Sequence, residues 1–186
     1  MSPREHGPRD AFTLVELLAV IAILGLLGAL ATPAVQKARA KSENAVCVSN
    51  LRQVGTAVWL YVPDHGNRFP SINNPWGEPI FTEGQTMLEA LGPYGINEKV
   101  LACPSDLRSA QSSYRRHTNS YEYVPWSSEE ETAGGTATVY RGNSTFEIPF
   151  SRLTLCWDVS NVHEGGFNAL RADNTVRSRS ARPNFR

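Results

Sequence analysis

From Phe12 to Ala31 the chain runs for 20 residues with a single ionisable side chain, Glu16. Wound as an α-helix, this run is about 30 Å long, the thickness of a bilayer's hydrocarbon core. It exceeds the apolar part of a secretory signal, which is typically about 7–15 residues. Ala29-Leu30-Ala31-Thr32 would be only a passable cleavage site for one. An ordinary membrane anchor explains the length but gives Glu16 no purpose. An acidic group at membrane depth is costly, and it marks function.

The helical pattern does not stop at Ala31. Val35, Ala38, Ala45, Val48, Leu51, Val54, Val58 and Tyr61 recur mostly at three- and four-residue steps, with polar residues such as Gln36, Lys37, Glu43 and Arg52 between them. That is one apolar face on an otherwise polar helix. The spacing predicts a single helix from near Phe12 to near Val62, about 75 Å long. Gly25 and Gly28 weaken it, and Pro33 predicts a kink or local melting. The helix is expected to end at Val62-Pro63, because the residue before a proline avoids the α region.

Composition then limits the remainder. Lysine plus arginine number 18 and aspartate plus glutamate number 18, so no global charge points to nucleic acid or an acidic partner. Outside residues 12–31 the chain is rich in Gly, Pro, Ser and Asn, which predicts a small, loop-rich domain with a modest core. Arg4 and Arg9 precede the apolar run while Lys37, Arg39 and Lys41 follow it, so charge alone leaves the orientation open. Asp64-His65-Gly66-Asn67 reads as a turn and residues 71–79 as a loop. Met87–Leu91 reads as a short helix stopped by Gly92-Pro93. Thr136–Tyr140 and Arg152–Asp158 read as strands. Phe167–Arg171 and Thr175–Ser178 form a hairpin across Ala172-Asp173-Asn174, where Asp and Asn tolerate the positive φ of a tight turn.

Few residues suggest chemistry. No G-x-S-x-G, Walker loop, zincin helix or paired-carboxylate pattern is present, and no two cysteines lie at zinc-motif spacing. The chain therefore reads as not an enzyme. Cys103 and Cys156 could be bridged in a disulfide-permissive compartment, leaving Cys47 on the helix, and buried free thiols are the equal alternative. Asp158, Asn161, Asp173 and Asn174 carry suitable oxygens for a calcium site, the one cofactor the residues suggest. The competing reading is that His163 and Asp173 fix the hairpin through backbone hydrogen bonds. Arg171, Arg177, Arg179, Arg182 and Arg186 read as edge charges that keep a hairpin soluble rather than as a nucleic-acid surface. Trp59 and Trp157 read as packing residues, leaving Trp76 as the candidate for exposed binding.

Phe12-Thr13-Leu14-Val15-Glu16 behind a short charged leader resembles the processing site of type IV pilins and type II secretion pseudopilins. The resemblance implies cleavage by a prepilin peptidase between Ala11 and Phe12, where the family usually has Gly in place of Ala11, and methylation of the new amine. It implies that Glu16 registers each subunit in a filament, and Pro33 lies where pilins often carry a proline. Cys47-Val48-Ser49-Asn50-Leu51-Arg52-Gln53-Val54-Gly55, Asp64 to Phe69-Pro70, Cys103-Pro104-Ser105-Asp106, and His163 nine residues before Asp173-Asn174 narrow it further. They are similar to a group of pilin-like proteins abundant in planctomycetes and verrucomicrobia, whose terminal hairpin carries H-x9-D-G. Here Asn174 stands in place of the glycine.

The expected organisation is a leader (1–11), a membrane and assembly helix (12–31), its amphipathic continuation (32–62), a globular domain (63–178) and a basic tail (179–186). The expected fold is α+β, a long N-terminal helix packed on a small antiparallel sheet with irregular loops. The resemblance implies an inner-membrane, single-pass subunit with its domain outside. Its implied partners are the prepilin peptidase, other pilin-like subunits, the assembly platform and membrane lipid. The rival reading is a membrane-anchored binding protein that never polymerises.

Overall fold

The computed structural model of the chain describes residues 13–73, 85–124, 132–133, 136–141, 144–159, 163 and 166–180. The fold is α+β, with contacts dividing the chain into a first unit, Met1–Arg39, and a second, Ala40–Arg186. Helix α1, Leu14–Asp64, is one unbroken α-helix. Its first part, through Arg39, is exposed on every side, and the helix is long and apolar enough to cross a membrane. The local melting expected at Pro33 does not occur. A proline costs the ladder one N–H, and the preceding turn gains a bond instead, from the Thr32 hydroxyl to the Gly28 carbonyl at 2.8 Å.

From Cys47 the helix becomes one-sided. Cys47, Asn50, Leu51, Val54, Gly55, Ala57, Val58 and Val62 are buried, at steps of one to four residues that keep to one side of the helix. Relative to the sequence pattern, the buried face begins later and is turned slightly. Val35 and Ala45 are exposed and Val48 is half-buried, while Cys47, Asn50 and Gly55 join the stripe. The helix also overruns its expected end, taking Pro63 into its last turn and closing at Asp64. Burial of Val62 holds that residue helical in spite of the proline after it. The Val62 carbonyl then accepts from His65 N (3.2 Å) and Asn67 N (2.9 Å), with Gly66 and Asn67 at positive φ.

The main sheet is four-stranded and antiparallel, in the order β1 (Tyr121–Tyr123), β5 (Thr154–Asp158), β6 (Phe167–Arg171), β7 (Val176–Arg179). Strand β5 is buried along its whole length, as a central strand between two covered faces should be. Cys156 pairs with Leu170, and both side chains join the cluster of Leu51, Val54 and Val58 from α1. Trp157 pairs with Ala169, and both lie in a second cluster with Phe167. A separate three-stranded antiparallel sheet holds β2 (Thr132–Ala133), β3 (Thr136–Arg141) and β4 (Ser144–Pro149). Arg152 and Leu153, expected in β5, belong instead to a turn in which both amides donate to the Pro149 carbonyl. Helix α2 (Met87–Leu91) forms as expected, fixed by a capping box between Thr86 and Glu89. Gly92-Pro93 continues it into one turn of 3-10 helix, Gly92–Tyr94, which ends at Gly95 in the left-handed region.

The stretch after Cys103 is organised by one carboxylate. Helices α3 (Pro104–Arg108) and α4 (Ser113–His117) are five residues each, too short to stand without outside bonds. Buried Asp106 accepts from the Ser112 and Ser120 hydroxyls (3.2 and 2.8 Å) and from the amides of Ser113 and Tyr114 (3.0 and 2.9 Å). Ser120 Oγ in turn accepts from Cys103 N at 3.0 Å. Replacing Asp106 with alanine removes four acceptor contacts from a dry site. We expect Asp106→Ala to lower unfolding free energy by about 3 kcal/mol, read as a shift in denaturant midpoint with unchanged slope.

Candidate functional site

The N-terminal segment holds the sequence's most constrained group. Ala11 and Phe12, the residues flanking the expected cut, lie outside the described residues. Glu16 does not stand alone on the helix. Its Oε2 accepts from Thr13 N (2.9 Å) and from the Thr13 hydroxyl (2.8 Å), and Thr13 Oγ1 accepts from Glu16 N at 3.3 Å. This is a capping box, in which Thr13 and Glu16 each satisfy an amide that the first helical turn leaves unpaired. The T-x-x-E spacing that announces it is legible in the sequence. Both Thr13 bonds fall on Oε2, and Oε1 makes no hydrogen bond among the described residues. Pro33, the other residue expected to matter for assembly, is an exposed position inside α1.

A second constellation lies where α1 meets the rest of the second unit. The disulfide joins Cys47 on α1 to Cys103, with their Cα atoms 5.2 Å apart. This corrects both sequence readings, the possible Cys103–Cys156 bridge and the alternative of free thiols throughout, since only Cys156 is a free thiol. Cys156 is a free, fully buried thiol on β5, its side chain committed to the core opposite Leu170. Burial pushes that thiol well above its ordinary range, with the Asp158 and Glu122 carboxylates acting in the same direction. Asn50, one turn beyond Cys47, donates to the Ala102 carbonyl and to Tyr121 Oη, both at 3.2 Å. It thus brings the residue before Cys103 against the helix. At a sequence separation of 56, the two bridged cysteines restrict the unfolded chain by about 4 kcal/mol in the loop-entropy model.

His163 is not part of the terminal turn. Its side chain packs against the disulfide, with Nε2 at 3.6 Å from Cys103 Sγ and 3.1 Å from Asp158 Oδ2. Asp158 Oδ2 also accepts from Asn168 N at 2.7 Å. Asp173 does serve the hairpin, since its Oδ1 accepts from both the amide and the hydroxyl of Thr175 (3.0 and 2.6 Å). The register β5–β6 places Asp158 at one end of the pair and Asp173 beyond the other, so these two carboxylates do not share a calcium site. Asn161 lies outside the described residues.

Asn174 is left-handed at φ 60° and reaches back to α1, its Nδ2 donating to Thr56 Oγ1 at 3.4 Å. A Cβ on Gly55 would stand 2.3 Å from Asn174 Oδ1, so any larger residue there would have to displace the Asn174 side chain. Trp59 completes the seat. Its Nε1 donates to the Ala172 carbonyl at 2.6 Å, and its ring meets Phe69 and Phe150 edge-on. Arg171 donates to the Ser151 carbonyl, while Arg182, Arg186, Trp76 and Trp126 lie outside the described residues.

The thiol pattern is directly countable. In denaturant without reductant, one maleimide should add per chain, on Cys156, and three after reduction. Native protein should take up none within minutes. A disulfide-linked peptide containing Cys156 would contradict the assignment.

Residues 8–32 match the model of the prokaryotic N-terminal methylation motif, which is consistent with the type IV pilin-like family. No curated protein and no solved structure matches the chain.

Proposed function

We propose that this chain, with its N-terminal methylation motif, is a pilin-like or pseudopilin subunit. A prepilin peptidase cuts it between Ala11 and Phe12, and it assembles through α1 into a type IV pilus or type II secretion pseudopilus. The observation that carries this reading is the motif match over residues 8–32, which spans the cut, Glu16 and the apolar run. The role is assembly rather than catalysis. Before assembly the apolar first part of α1 holds the subunit in the inner membrane, with the second unit on the outer side. In the filament the same exposed side chains, Leu14 to Leu30, pack against neighbouring subunits.

The capping box supports a division of labour on Glu16. Oε2 is satisfied inside its own chain, which lowers the cost of holding a carboxylate in an apolar setting. Oε1 is open to the new amine of Phe12 on an adjacent subunit. An ion pair buried by assembly favours one stagger over all others, since any slip leaves two uncompensated charges in apolar surroundings. Partners implied by this role are the peptidase, further pilin-like subunits and the assembly platform.

Two substitutions separate the local from the intermolecular role. Glu16→Gln keeps an oxygen to accept the Thr13 bonds but loses the charge, so helix content and membrane insertion should be unchanged. Incorporation into filaments, read by shearing and immunodetection, should fall about tenfold or more, the loss expected for roughly 1.4 kcal/mol per contact. Glu16→Ala should lose both. Filaments at wild-type abundance with Glu16→Gln would remove the proposed charge pairing.

A further inference from the structure

The disulfide has company that a structural staple does not require. Cys47 on α1, Cys103 before α3, and His163 between β5 and β6 each offer one donor atom, and the three atoms lie within 4.8 Å of one another. The ring's polar contacts all run through Nε2, while Nδ1 has no hydrogen-bond partner among the described residues. Both cysteines are fully buried, and the side chains of Asp158 and His163 are 1% and 5% exposed. Two sulfurs, an imidazole nitrogen and a carboxylate oxygen form a donor set that suits zinc.

Ordinary zinc bond lengths at a tetrahedral centre place sulfur and nitrogen about 3.5 Å apart, nitrogen and oxygen about 3.4 Å, and the two sulfurs about 3.8 Å. Cys103 Sγ to His163 Nε2 is already 3.6 Å, and Nε2 to Asp158 Oδ2 is 3.1 Å. The two sulfurs must separate, because they are now bonded, and the remaining edge, Cys47 Sγ to His163 Nε2, lies within 4.8 Å and closes as they do. Asn168 N, donating to Asp158 Oδ2 at 2.7 Å, supplies the outer contact that orients a ligating carboxylate.

We infer that opening the Cys47–Cys103 bond creates a Zn2+ site made of Cys47 Sγ, Cys103 Sγ and His163 Nε2, with Asp158 Oδ2, 3.1 Å from that nitrogen, as the oxygen at hand for the fourth position. A dithiol reductant supplies two electrons and two protons to the sulfur–sulfur bond and itself becomes a disulfide. Zn2+ then displaces both thiol protons, so capture releases two protons per metal while the imidazole binds neutral and the carboxylate ionised. The locus ties α1 to the start of α3 in both states, by a covalent bond in one and by the metal in the other. Cys156 stays outside it, on β5 in the core.

The test uses the full chain in detergent, reduced with a phosphine under inert gas, freed of reductant and titrated with zinc chloride against a chromogenic chelator. The expected result is one zinc per reduced chain and none per oxidised chain, with two sulfurs and nitrogen or oxygen neighbours by X-ray absorption. His163→Ala should weaken binding by about 100-fold or more, beyond the loss of an outer contact, and its fold is checked beforehand with the disulfide intact. If that variant fails to fold, His163→Gln takes its place, with the same loss expected. His65→Ala, in the exposed turn just after α1, should bind zinc like the wild type. The inference is overturned if the reduced chain takes up no stoichiometric zinc, if the oxidised chain or the folded His163 variant binds equally well, or if three sulfurs surround the metal.

Discussion

A helix that passes from a lipid-like environment to a domain surface must satisfy two solvents with one backbone ladder. In hydrocarbon every amide has to find its partner inside the helix, and side chains may be apolar all round. On a domain only one stripe may be buried, and the other faces must suit water. Helix α1 meets both demands without a break, and its residues change character rather than its backbone. Through Arg39 the helix is exposed on all sides, and from Cys47 a stripe of buried residues begins. The first turn is the weak point of any such helix, because its leading amides have no partner within it. Thr13 and Glu16 cap it, and that makes a carboxylate tolerable at this position.

The second unit is built around what that stripe offers. Its polar residues and its glycine each have a separate correspondent. Cys47 bonds Cys103, Asn50 holds the Ala102 carbonyl and Tyr121, and Gly55 gives room to Asn174. Slightly earlier, Glu43 pairs with Arg108, and Asn44 Oδ1 accepts from Asn168 Nδ2 at 2.7 Å. These contacts are short-range and directional, so they set the rotation and height of the helix against the sheet more sharply than Leu51, Val54 and Val58 could do alone. Hydrophobic burial is largely indifferent to small slips.

Much of this was legible from residue patterns, and the misses have physical causes. The long helix, helix α2 and the β6–β7 hairpin follow from periodicity, capping residues and turn chemistry, all of which are local. The span of α1 past Val62-Pro63 was not, because tertiary burial of Val62 outweighs the preference of a residue before proline. Strand β1 and helices α3 and α4 are three and five residues long, and bonds between elements hold them: Asp106 of α3 to the first amides of α4, Ser120 to Cys103 N, and Asn50 of α1 to Tyr121. The Cys47–Cys103 bond was hidden for the same reason, since its partners are 56 residues apart and meet only once the domain has packed. Asp158 and Asp173 looked like neighbours by type and were parted by strand register. His163 looked like a hairpin residue and instead faces the disulfide.

The assembly role of α1 depends on processing of its N-terminus, and the mass of the mature chain tests that most directly. Intact-mass and N-terminal peptide measurements on the membrane-extracted protein should give a chain beginning at N-methylated Phe12. A chain that still begins at Met1, in cells with an active prepilin peptidase, would contradict it and leave α1 as an ordinary anchor.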